Sequence, residues 1–342
     1  MYIYFSKLQS QFEKEYIFQY LLKEVKVEHI FTCLDEIKDF NQKIDEITIV
    51  FSGSKDETPI TEEVNKLITE VETYNLIHLS DEGLVHNTKI YKNAKKVLRA
   101  YYKPNLTKNN VITIPIGLQG GYINKDNIDQ DNERIYTWSF FGQAYSERSE
   151  MLNKLLELRP NLYHTNSSFL SNDMLSATVT KHAYLKTHFS LCPFGFINPD
   201  SFRILETLEN GCIPVVKKFV FIDYYKYIYG DHPFILVNDW DEAVERLKDY
   251  ISNDEKLLQK HHEVREWYRS YKIYLQKSVK TYLLNENYFL DSQFKYQKNG
   301  KLSPLALITF FYWFKIRTNN KFIFVQKKIY IFKQFIKKYL NM

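Results

Sequence analysis

Along the first 120 residues, short apolar runs alternate with stretches of helical periodicity, and that alternation sets the expected architecture. Residues 47–52, 76–80, 97–101 and 111–115 are continuous apolar runs of strand length, whereas Phe12, Tyr16, Leu21 and Leu22 recur among charges at helical spacing. Residues 61–68 open like a capped helix. A second series starts after the polar, Asn- and Asp-rich segment 124–133, with a strand at 135–141, a loop at 142–146 and an amphipathic helix over 147–158. Residues 163–180 read as mixed and loop-rich, 234–237 as a strand, 239–250 as a helix with an acidic first turn, and 255–284 as one or two long helices. Strand and helix in alternation predict parallel sheets, so the chain reads as two α/β domains, 1–125 and 133–285, followed by a tail, 286–342.

Residues 189–216 compress strand, glycine turn, helix and second strand into one βαβ unit. Asp200 or Ser201 suits the N-cap and Gly211 the C′ position, which bounds a helix between them. Phe202, Leu205 and Leu208 then share the face toward the sheet, while Arg203 and Glu206 share another near the helix's positive end. Free N–H groups, a hydroxyl and an arginine suit a phosphate, and a carboxylate one turn on suits sugar hydroxyls. The same residues would also serve a capped helix carrying a surface ion pair.

Composition narrows the class. With 44% apolar and 25% charged residues in 342, the chain is an ordinary globular protein with a sizeable core. Cys33, Cys192 and Cys212 are spaced for neither a metal knuckle nor a disulfide framework, and the N-terminus has no secretory signal pattern, so a reducing cytosol is expected. Charge is uneven: residues 295–342 carry eleven Lys and Arg and no acid, which leaves the rest of the chain at −6 out of a net +5. A basic, aromatic tail on an acidic body suits an anionic membrane surface better than nucleic acid. The apolar run 305–314 is half the length a bilayer crossing needs, whereas 322–340 mixes wide apolar and lysine-rich faces like a helix lying in the interface.

Phe189-x-Leu191-x-Pro193-x-Gly195, Ser201-x-Arg203-x-x-Glu206 and Gly211-Cys-Ile-Pro-Val resemble the signature of the exostosin-type (family 47) glycosyltransferases, with Thr207 where that family usually has alanine. Residues 76–102 are similar to the N-terminal half of its bacterial relatives and of the ribitol xylosyltransferase branch. The resemblance implies a GT-B fold, two Rossmann-like α/β domains facing a central cleft, and inverting transfer from a nucleotide sugar, usually a UDP-sugar. It implies that Ser201 and Arg203 bind the diphosphate, Glu206 the ribose, Arg148 a second edge of the diphosphate, and that Gly142 lets backbone approach the donor.

Inversion requires a general base opposite the leaving group, which in this fold comes from the N-terminal domain. Asp81 and Glu82 directly follow a strand, so Asp81 is the first candidate, Glu82 the second and His78, within the strand, the third; either acid could instead cap the next helix. Asp239-x-Asp241 has the letters of a metal-binding pair but opens a helix, where acids are expected anyway, so no metal or other cofactor is expected. The expected partners are a nucleotide-sugar donor, a glycan or lipid-linked glycan acceptor in surface polysaccharide or lipopolysaccharide synthesis, and the inner face of the membrane through the tail, without nucleic acid. A retaining GT-B transferase and a non-catalytic nucleotide-sugar or nucleic-acid binder are the alternatives.

Overall fold

A computed structural model describes residues 1–285 apart from 9–10, 53–58, 85, 87, 104–105, 107–109, 125–132, 146, 169–170, 197 and 221. The tail at 286–342, and with it the expected membrane-surface helix, lies outside the described residues, as does most of the polar segment 124–133.

The first half builds one sheet from β1 (Tyr2–Tyr4), β2 (His29–Phe31), β3 (Glu46–Ser52), β4 (Thr73–Leu79), β5 (Lys96–Ala100) and β6 (Val111–Ile114). Their order is β2-β1-β3-β4-β5-β6 and every pairing is parallel. Parallel strands are covered on both faces, which is why β3, β4 and β5 read as unbroken apolar runs. Helices α1 (Leu34–Lys38) and α2 (Pro59–Glu70) lie in this half. The helical periodicity near Tyr16 becomes a π-helical segment, Tyr16–Leu21, which buries Tyr16, Ile17, Tyr20 and Leu21 together.

The second half repeats the plan with β7 (Tyr136–Phe141), α3 (Glu147–Leu155), β8 (Asn161–His164), α4 (Ala177–Leu185), β9 (Thr187–Cys192), α5 (Phe202–Glu209), β10 (Ile213–Lys217), α6 (Lys226–Tyr229), β11 (Ile235–Val237) and α7 (Trp240–Ile251). The strand order is β11-β10-β9-β7-β8, again parallel throughout. The stretch expected to be mixed and loop-rich contributes both β8 and α4.

A single helix, α8 (Asp254–Leu284), closes the chain as described. At 31 residues it is about 46 Å long, from 1.5 Å of rise per residue. Asn253 caps its start by accepting from the Lys256 N–H at 2.9 Å, and Leu257, His261, Val264, Tyr268, Tyr271 and Leu275 form its buried stripe. This helix starts under the second sheet and ends on the first: the Tyr20 and Tyr268 hydroxyls meet at 2.9 Å, Lys96 Nζ donates to the Leu283 carbonyl at 3.1 Å and the Tyr282 hydroxyl donates to the Asn110 carbonyl at 2.6 Å. Elsewhere Tyr102 stacks on Tyr227 with centroids 4.6 Å apart, and one apolar core runs through both halves. Among the described residues no helix is long and apolar enough to cross a membrane.

Candidate active site

Between the two sheets lies a cleft of about 290 Å³, bounded by the carboxyl ends of strands from both halves. The fold positions ligands at that end of parallel strands. From the second half, Gly142, Arg148, Ser201, Arg203 and Glu206 line it; from the first, Phe12, Ser80, Glu82 and Tyr101.

Helix α5 carries the donor side. Its apolar residues Ile204, Leu205 and Leu208 are buried, and Gly211, at φ +72°, ends it where only a residue tolerating the left-handed region fits well. Ser201 occupies the N-cap position with extended backbone, yet its hydroxyl makes no capping bond and is buried without a partner among the described residues. A buried hydroxyl of that kind costs free energy unless something completes it. Asp200, the other expected cap, accepts instead from the Ser201 N–H at 3.0 Å, the Tyr229 hydroxyl at 3.0 Å and the Ile116 N–H at 3.1 Å. Glu206 accepts from the Gln119 N–H through Oε1 at 3.3 Å. Burial pushes both carboxyls up to about 7, against the pull of those N–H donors and, for Glu206, of Arg203.

Arg203 donates through Nε to the Phe141 carbonyl at 2.8 Å and lies over the Phe140 ring at 5.0 Å. Its Nη2 passes so close to Gly142, at φ +142°, that any side chain there would overlap it. Gly142 thus makes room for the Arg203 guanidinium. Arg148 lines the cleft but its Nη1 donates to the Gln143 carbonyl at 3.1 Å and its Nη2 to the Phe194 carbonyl at 2.6 Å. Its guanidinium sits 4.3 Å from the centre of the Tyr145 ring, and burial, then Arg203, holds its pKa down to about 9. It clamps the loop that frames the site.

Across the cleft the candidate bases separate. Asp81 is turned inward: it pairs with Arg99, both side chains 1% exposed, and accepts from the His86 N–H at 3.0 Å. His78, fully buried on β4, is fixed by the same network, because Arg99 Nη1 lies 3.3 Å from His78 Nδ1 and donates to the Tyr91 hydroxyl at 2.8 Å. An arginine only donates, so Nδ1 is the acceptor and Nε2–H donates to His86 Nδ1 at 3.0 Å. Burial and the Arg99 charge hold the His78 pKa well below its ordinary value. His78, Asp81 and His86 bring metal-ligand atoms within 4.8 Å of one another, but the Arg99 guanidinium is already the cation of that cluster. Neither Asp81 nor His78 therefore reaches the cleft, which overturns their candidacy as base.

Glu82 does line the cleft. Its Oε1 accepts from the Asn198 N–H at 3.2 Å and rests against Gly195, where an added Cβ would stand 2.6 Å from it. Two features went unread in the sequence. Ser80, at φ +57°, donates to the buried Glu13 at 2.9 Å, and burial raises that carboxyl to about 7. Phe196 stacks on Tyr145 with centroids 5.1 Å apart and planes 4° from parallel. Asp239 accepts from the Glu242 N–H at 2.9 Å as the cap of α7, and Asp241 pairs with Lys154 at 2.5 Å, so that pair is accounted for by the helix start.

Residues 121–290 match the RXYLT1 C-terminal domain family. No curated protein sequence matches the chain. Among solved structures, the DNA-modifying enzyme β-glucosyltransferase, determined in the presence and absence of uridine diphosphoglucose, superposes with a TM-score of 0.52 at 12% identity, over 83% of this chain and 99% of that one. An α1,3-fucosyltransferase does so with a TM-score of 0.50 at 11% identity, over 84% and 90%. At such identities the likeness is one of fold, and that fold is GT-B. Residues 121–290 are thus similar to the RXYLT1 C-terminal domain family, and the chain as a whole has the GT-B fold.

Proposed function

We propose that the protein is an inverting transferase that moves a sugar from a UDP-sugar to a glycan or lipid-linked glycan acceptor in surface polysaccharide or lipopolysaccharide synthesis, without a metal. The observation that carries this reading is the placement of Ser201, Arg203 and Glu206 on one wall of the cleft and Glu82 on the other. In the reaction, Glu82 takes the proton of an acceptor hydroxyl and that oxygen attacks the anomeric carbon. The bond from carbon to the diphosphate oxygen breaks on the opposite face, and its electron pair leaves with the diphosphate. Arg203, the Ser201 hydroxyl and the first N–H groups of α5 meet the charge that develops, the task a metal performs in other transferases. Glu206 receives the ribose hydroxyls. Uridine is favoured by the β-glucosyltransferase, whose structure was determined with uridine diphosphoglucose. A membrane-surface acceptor is favoured by the eleven basic residues of 295–342, which suit a site at the inner face of the membrane.

Isothermal titration with UDP, on wild type and Arg203→Ala, tests the donor site: a charge-assisted contact predicts a Kd raised about tenfold or more. Unchanged affinity would overturn the assignment. NMR of the product's anomeric proton tests the stereochemistry, since retention of the donor's configuration excludes inversion. Turnover that EDTA abolishes and Mn2+ restores would exclude the metal-free reading.

A further inference from the structure

The proposed function leaves one part of the donor without a seat, its base. If the ribose rests on Glu206, as that function has it, the base lies one sugar farther along the cleft, and the wall can be followed in that direction. Glu206 lies close to Tyr184, whose ring meets the Phe141 ring edge-on with centroids 5.3 Å apart. Phe141 is the register partner of His164 at the end of β8, and the Gly142 N–H donates to the His164 carbonyl at 3.1 Å. The wall therefore continues from α5 past α4 to the residues after β8, where His164, Asn166, Met174 and Leu175 line the cleft.

Hydrogen bonds among these residues pin them in place. His164 Nε2–H donates to the Asp173 carbonyl at 2.6 Å, the Ser167 N–H and hydroxyl donate to the Asp173 carboxylate at 2.8 and 3.1 Å, and Gln143 Nε2 donates to the Ser167 carbonyl at 2.7 Å. Asn166 is 8% exposed, and its Nδ2 donates to the Ser168 carbonyl. A carbonyl only accepts, so the amide cannot be turned round, and Oδ1 is the end left over. It has no partner among the described residues. Of the described residues lining the cleft, only Arg148, Ser201 and Asn166 carry such a buried, unpaired polar atom, and only that of Asn166 is purely an acceptor.

A buried acceptor held in a closed polar network costs free energy unless a ligand completes it. On the same wall Met174 is 37% exposed, an apolar and adaptable side chain that suits the face of a flat ring. An acceptor asks its ligand for an N–H. Uracil has one at ring position 3, whereas cytosine has an unprotonated nitrogen there, which would set two acceptors against each other. We infer that Asn166 is the residue that reads the base of the donor, accepting from the imide N–H of uracil, and that it thereby selects a uridine over a cytidine nucleotide.

Isothermal titration of the full chain with UDP, CDP and 3-methyluridine 5′-diphosphate tests this. Wild type should bind UDP about tenfold or more tightly than either of the others, since each of them lacks the N–H and leaves the buried acceptor unpaired. Asn166→Ala should bring the Kd for UDP to within about threefold of that for CDP, while the Kd for CDP stays as in wild type and certifies that the variant is folded. Equal affinity of wild type for UDP and CDP, or undiminished affinity for 3-methyluridine diphosphate, would overturn the inference. So would an equal loss of both nucleotides in an Asn166→Ala protein whose thermal midpoint is unchanged, because a merely structural asparagine shifts the two together. Should the variant not fold, the two wild-type comparisons decide alone. Binding of neither nucleotide to wild type would sink the donor reading itself, a result distinct from binding without selectivity.

Discussion

Arg203 crosses Gly142 at a distance that leaves no room for a β-carbon, its Nη2 against the glycine and its Nε on the Phe141 carbonyl. The residue at the end of β7 therefore determines where the arginine of α5 can lie, 61 positions later in the chain. Gly142→Ala should push the guanidinium off its seat and raise the Kd for UDP about tenfold while leaving far-UV circular dichroism unchanged. Normal affinity would show that Arg203 binds from another position.

Asp81 pairs with Arg99 in the interior while its neighbour Glu82 lines the cleft, and on the proposed function mutation should separate them. Asp81→Asn removes the charge that Arg99 neutralises inside the protein, a loss on the order of 3 kcal/mol or more for a broken buried pair. Glu82→Gln should cut turnover at least 100-fold with little change in the thermal midpoint. Equal effects on stability, read by thermal unfolding, would contradict the division.

Glu206 makes stability depend on pH. Its pKa rises from 4.5 to about 7 on burial, so between those values the folded protein holds a proton that the unfolded chain has released. The contribution is full at acidic pH and is lost as pH rises through about 7. Glu206→Gln should therefore gain on wild type from pH 5 to pH 8 by on the order of 3 kcal/mol in urea unfolding, while its affinity for UDP falls. Parallel pH profiles for the two proteins would argue against a strained carboxyl.

The βαβ unit around α5 was legible because its signals are local. A cap residue, a helical apolar period and a terminal glycine act within a few residues of one another, and they fixed the positions of Ser201, Arg203 and Glu206 on one helix. Asp81 failed as a base for a reason no local signal carries. Its partner, Arg99, sits on the next strand, brought alongside by the pairing of His78 with Arg99 in the β4–β5 register. Nothing in the run before Asp81 says which of two consecutive acids turns inward. The contact of Glu82 with Gly195 spans 113 positions and is equally silent in the sequence. Helix α4 carries little local signal because its first turn, Ala177 to Thr180, is short or β-branched and its apolar face is weak; Ser176, which accepts from the Val179 N–H at 3.4 Å, is its one local mark.

The cysteines offer a check on the core itself. Burial pushes Cys192 up to about 11 and Cys212 up to about 12, and both are fully enclosed, whereas Cys33 is partly exposed. A thiol reagent at pH 8 should titrate one group quickly and the other two only after denaturant is added. Fast reaction of all three would mean that the second sheet opens.

The helix α8 gives the molecule an unusual order of completion. Synthesis delivers the first sheet early, yet part of that sheet's surface, around Tyr20, Lys96 and Asn110, is covered by residues 268–283. Until the ribosome has made nearly all of the described chain, the first half must wait with that surface bare. The halves of this protein are consequently not interchangeable parts: a chimera that swaps in another second half would also have to supply a closing helix matched to the first.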